Sequence, residues 1–164
     1  MTKNSMLDFD LGSRVFPVST ASEKAQHLFD LGLSWCFGFN QDEGLACFKA
    51  AAALDPQCAM LNWGIAYAAG PFYNMPWRDF GEIEASECTA FCRGHIDKAL
   101  SLSGSATALE VALIGALAQR IQKPYPVSQE EFDRWDDAYA DAMRKINDDF
   151  PDNLDVMAFF AEAM

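Results

Sequence analysis

The sequence predicts an all-α fold. Three observations lead there: helix-start signals recur along the chain, apolar residues follow them at helical spacing, and little strand-like alternation lies between. Thr20-Ala-Ser-Glu23, Asn40-Gln-Asp-Glu43 and Ser128-Gln-Glu-Glu131 each set a small polar acceptor three residues before a glutamate, so side chains can satisfy the unpaired amides of a first turn. The apolar spacing then reads Leu28, Leu31 and Trp35, Leu45, Phe48 and Ala52, and Leu109, Leu113 and Leu117.

Taken in order, residues 1–18 form an extended lead-in, and helices are expected over 20–37, 40–54, 57–69, 82–102, 105–121, 128–149 and 153–164. The breaks have chemical causes. Gly38 ends the first helix, Pro56 and Gly70-Pro71 bracket the third, Ser103-Gly104 separates the fourth and fifth, and Lys123-Pro-Tyr-Pro126 precedes the sixth.

A length of 164 residues favours one domain, here 19–164, and half the residues are hydrophobic, enough to fold by burial. The net charge of −12, with only 12 scattered Lys and Arg, argues against nucleic acid and anionic membrane as partners. The first twenty residues carry no apolar run of signal-peptide length, and no segment reaches a membrane span, so a soluble, cytoplasmic protein is expected. Five cysteines, an odd number, read as reduced thiols, mostly small core residues.

From Ala25, a 34-residue window places Leu28, Leu31, Gly32 and Trp35 on one helix and Gly44, Phe48, Ala51 and Pro56 on and after the next. This pattern resembles the tetratricopeptide repeat. In it Gly32 and Gly44 allow close approach, Phe48 wedges between the helices, and Pro56 closes the unit. A degraded copy follows in Tyr139, Met143, Ile146 and Pro151. The stretch "GFNQDEGLACFKAAAALDPQCAMLNWGIAYAAGP" further resembles the N-terminal part of longer bacterial and fungal tetratricopeptide proteins, over roughly residues 20–80. The resemblance implies antiparallel helix pairs stacked as a right-handed α-solenoid, acting as a protein-interaction scaffold. A competing reading is an N-terminal supporting module of a metalloprotein or enzyme whose chemistry lies beyond residue 164.

By that resemblance the inner, ligand-facing positions fall on Gln26, Phe29, Leu33, Cys36 and Phe37, joined by Trp63 and Tyr67 from the third helix. The face is apolar, so it either is filled by the chain's own later helices or accepts an apolar helix or peptide from a partner. The loop at 70–80 concentrates Phe72, Tyr73, Asn74 and Trp77 among Gly and Pro, where a plain connector would be polar. It is either a recognition element or a cover over the groove.

Cys88, Cys92 and His95 share one helix face and have zinc or copper ligand chemistry, but three ligands leave a structural site incomplete, and buried cysteines are the simpler reading. No metal and no cofactor are expected, and no catalytic motif is present. Val156, Met157, Phe159, Phe160 and Met164 are too many for one buried stripe, which predicts self-association through the last helix.

Overall fold

Ser22, not Thr20, starts the first helix: its hydroxyl accepts from the Ala25 amide, while Thr20 turns away to donate to Asp55 Oδ2 at 2.6 Å. The computed structural model describes residues 10–164. Among these it has seven α-helices and no strand: α1 (Glu23–Phe37), α2 (Gln41–Leu54), α3 (Ala59–Ala69), α4 (Glu82–Leu102), α5 (Ala108–Arg120), α6 (Gln129–Asp149) and α7 (Leu154–Ala163). The chain is thus all-helical, as expected, with the expected boundaries moved inward by three residues or fewer at each end. The side chains of Asn40 and Ser128 cap α2 and α6. Two further caps use the same chemistry: Thr107 with Glu110 forms a reciprocal capping box on α5, and Asn153 caps α7.

Consecutive helices pack side by side, α1 on α2, α2 on α3, α3 on α4, α5 on α6 and α6 on α7. Only residues 38–40 join α1 to α2, so two helices in such long contact must run antiparallel. Phe48 of α2 is fully buried where three helices meet. A β-carbon added at Gly32 of α1 would lie 2.8 Å from its ring, and one at Gly64 of α3 only 2.5 Å. Gly44 serves α1 in the same way, since a β-carbon there would lie 2.6 Å from Cys36 Sγ. The expected wedge is therefore present, with a second glycine, Gly64, on its far side.

Residues 1–9 of the expected lead-in lie outside the described residues. From residue 10 onward the lead-in is part of the core. Phe16 and Val18 are buried, and the Gln26 side-chain amide pairs with both, donating to Phe16 O at 2.8 Å and accepting from Val18 N at 2.9 Å. Asp30, itself buried, accepts from the Phe16 amide at 2.8 Å. Ser19 then reaches α5, where both its amide and its hydroxyl donate to the buried Glu110 carboxylate. Arg14 ion-pairs with Asp155 of α7 at 2.6 Å.

Because the Phe48 ring meets Gly64 at backbone distance, Gly64→Ala should lower stability by about 1–3 kcal/mol. Gly115→Ala, in α5 with nothing within 4 Å of the added carbon, should raise it by about 0.5–1 kcal/mol. Thermal melts of the two variants check both signs, and a harmless Gly64→Ala would mean that the helices are not held at this spacing.

Candidate functional site: an aromatic cleft beside the first helix turn

The face expected to receive a partner is occupied by the chain itself. Phe29, Leu33 and Trp63 are buried and Tyr67 nearly so. Phe159 of α7 enters between them, with its ring 5.4 Å from Trp63, 5.6 Å from Tyr67 and 5.5 Å from Phe37. Phe16 of the lead-in closes the other side, 6.0 Å from Phe159 and 6.2 Å from Phe29. Phe29, Leu33 and Trp63 are thus core residues out of reach of a partner. Gln26, expected on the same face, holds the lead-in.

The aromatic loop splits into two parts. Phe72 and Met75 exchange both backbone hydrogen bonds, at 3.2 and 2.9 Å, so that Tyr73 and Asn74 form the exposed tip of a tight turn. Trp77 then turns inward. It is 2% exposed, stacks on Phe132 of α6 at 4.3 Å and meets Trp135 edge-on. Trp77 is a pin between the loop and α6, whereas Tyr73, 74% exposed, covers little.

Between this turn, the end of α1 and α7 lies a cleft of about 320 Å³. Phe37 and Tyr67 form its inner wall and Phe72 and Tyr73 one rim, so four of the expected binding residues converge on it. Ala158 and Ala161 of α7 form the opposite wall. Phe39, which sequence reasoning passed over as part of a helix junction, forms the remaining rim and is 58% exposed. Its backbone is unusual: φ is +60°, and it is the one non-glycine residue with positive φ among the described residues. The Phe39 amide donates to Cys36 O and the Asn40 amide to Trp35 O, which closes the end of α1 in a turn whose left-handed position glycine ordinarily takes. A residue as bulky as Phe holds that conformation at a cost of about 1–2 kcal/mol.

The polar groups of the cleft are few. Glu162 of α7 is gripped by Arg120, whose Nη1 donates to both carboxylate oxygens at 3.0 and 3.1 Å. Asp136 of α6 approaches the other side of Arg120 at 3.5 Å, within ion-pair range but outside hydrogen-bond geometry. The guanidinium also lies 4.7 Å from the centre of the Tyr139 ring. Burial raises Asp136 above its ordinary 3.8, with Arg120 pulling it back. Burial, then the Glu162 carboxylate, pushes the Tyr67 hydroxyl far up, and burial pushes the Cys36 thiol up to about 12, so both stay neutral. Gln41 Oε1 is buried there with no hydrogen-bond partner.

Cys88, Cys92 and His95 do not converge as a ligand set. The two sulfurs lie 3.9 Å apart, but His95 Nδ1 points to the buried Asn62, donating to Oδ1 at 3.1 Å. Among the described residues no three His, Cys, Asp or Glu side chains are grouped so as to hold a metal ion. On α7, Val156 and Phe159 are core, while Leu154 and Met157, and Met164 just past its end, remain exposed. No helix among the described residues is long and apolar enough to cross a membrane. Compared with known families, characterised proteins and solved structures, the chain found no match.

Trp77→Ala should cost about 3–5 kcal/mol, as for other large buried aromatics, and Tyr73→Ala less than about 0.5 kcal/mol. Equal losses in denaturant titrations would contradict the division of the loop. Arg120→Leu strands two carboxylates and should cost about 3 kcal/mol at neutral pH. Asp136 is already raised in the fold, so the stability linked to its proton is complete below 3.8 and lost as the pH rises through the raised value. Without Arg120 the raise grows. The deficit of Arg120→Leu should therefore shrink as the pH falls from 7 toward 4, and a constant deficit across that range would show that the carboxylates are not coupled to it.

Proposed function

We propose that the chain is a tetratricopeptide-like interaction module, a right-handed stack of helix pairs that grips a partner peptide by a side chain inserted into the aromatic cleft. Phe39 carries the reading. An exposed aromatic residue stands where glycine would relieve the backbone, and strain of this kind persists where the side chain has a task. The cleft volume suits one or two large side chains rather than a whole helix, in keeping with interfaces that depend on a single anchored residue in a desolvated pocket. Phe37, Tyr67, Phe72 and Tyr73 are the residues of the original set that remain in contact with this space. Behind them Trp63 stacks on Tyr67 and itself meets Phe29, while Phe159 meets Phe37.

Peptides selected by display against the wild-type protein, and titrated into it by calorimetry, test the proposal. Phe39→Gly should keep or raise the melting temperature, since it removes the left-handed strain, yet weaken the selected peptides by about tenfold or more. Ala161→Leu should likewise leave the fold intact and weaken binding, by filling the cleft. Selected peptides that bind both variants as tightly as the wild type would place recognition elsewhere on the molecule.

A further inference from the structure

The cleft has a chemical bias that a simple apolar pocket lacks. Five aromatic rings line it, Phe37, Phe39, Tyr67, Phe72 and Tyr73, together with one carboxylate, Glu162, and no Lys, Arg or His. Aromatic faces carry negative potential, so rings around one space attract a cation. We infer that the cleft is an aromatic cage for a methylated ammonium group, presented on a lysine side chain of the partner peptide. The inference rests on the proposed peptide-binding reading and names the chemistry of the anchor.

The observations favour a methylated over a plain ammonium. A plain ammonium carries three donors and a tight hydration shell. To replace that shell the cleft offers few side-chain acceptors, Gln41 Oε1, the Tyr67 and Tyr73 hydroxyls and a Glu162 carboxylate already bonded to Arg120, against five ring systems and two alanines. Methyl groups spread the charge and turn the rest of the surface apolar, which matches a lining of five rings and two alanines. A cationic group is favoured over a neutral one of the same shape by the balance of charge beside the cleft. Arg120 is outnumbered by Glu162 and Asp136, so the charged cluster behind the cleft is net negative. Arg14, 5.1 Å from the centre of the Phe37 ring, is held by Asp155 and is not part of the lining. At longer range the net charge of −12 steers a basic peptide toward the molecule.

The test compares two short peptides that differ at one atom, one with trimethyllysine and one with its neutral isostere, in which a tert-butyl carbon replaces the nitrogen. Tetramethylammonium chloride forms a third arm. With the intact chain, calorimetric titration should find the trimethyllysine peptide at least about tenfold tighter than the isostere. Tyr73→Ala should remove most of that difference and Tyr73→Phe should keep it. Equal binding of the two peptides would overturn the cage while leaving an apolar anchor in the cleft, and binding of neither, where display-selected peptides do bind, would overturn it too. Tetramethylammonium as tight as the peptide would overturn the assignment to a peptide side chain in favour of a free small cation. Failure of every selected peptide to sense Phe39→Gly would instead remove the reading beneath it.

Discussion

One ring held between two glycines sets the geometry of the molecule. Phe48 reaches from α2 to the bare backbone of α1 at Gly32 and of α3 at Gly64, so three helices share a single side chain where each pair would ordinarily need its own layer. That closeness carries consequences along α3. With Gly64 fixed against Phe48, Trp63 is directed the other way, where its ring stacks on Tyr67 at 4.9 Å and its indole N–H donates to Leu113 O of α5 at 3.2 Å. The first two helices thus fix the third, and the third positions both the inner wall of the cleft and the start of the second half of the chain.

The second half returns to the first through α7 and the lead-in. An apolar inner face left open would be an aggregation hazard, and here Phe159 and Phe16 fill it from two ends of the described chain. The polar ties follow the same route. Glu110 holds Ser19 against α5, Arg14 holds Asp155 of α7, and Arg120 joins α5, α6 and α7 through Asp136 and Glu162. A buried ion cluster of this kind adds little net stability, because desolvation offsets most of the attraction. Its geometric demand is strict, however: α7 must lie where Glu162 meets Arg120, and that places Ala158 and Ala161 opposite the aromatic turn.

Much of this was legible in the sequence because its signals are local. Gly38, Pro56, Gly70-Pro71 and the polar caps mark helix ends whatever the rest of the chain does, whereas the Gly32-Phe48 pairing comes only with the resemblance to a helix repeat. What stayed hidden is long-range. Nothing near residue 159 announces that its ring will enter a face made by residues 29, 37, 63 and 67, so Phe159 read as surplus surface when it is core. Trp77 and Tyr73, four residues apart in one loop, could not be told apart without Phe132 of α6 to receive the former. Thr20 and Ser22 are both able to cap α1, and the choice fell to Ser22 because Asp55, 35 positions on from Thr20, takes the other hydroxyl. Phe39 was hidden as well: Gly38 beside it is the residue that ordinarily takes the left-handed turn, yet Gly38 has φ −83° and Phe39 takes it instead.

The cleft itself follows from where large residues stop. α7 offers Val156 and Phe159 to the interior, both fully buried, but Ala158 and Ala161 toward the turn, and larger side chains there would close the space and extend the core. Across from them the chain does the reverse, with aromatic residues at exposed positions 39 and 73 where small or polar ones would satisfy the turns at lower cost. Small residues opposite large ones across an unfilled gap, with backbone strain retained at Phe39 on the rim, are departures from local consistency that converge on the same 320 Å³. That coincidence in space is what the proposed binding role rests on, since a sequence adjusted for folding alone would scatter such departures or remove them. The same convergence explains why the cleft has rigid walls. Tyr67 is locked by Trp63, Phe37 by Phe159 and Glu162 by Arg120, so an entering group would meet surfaces already in place and would lose little to ordering them.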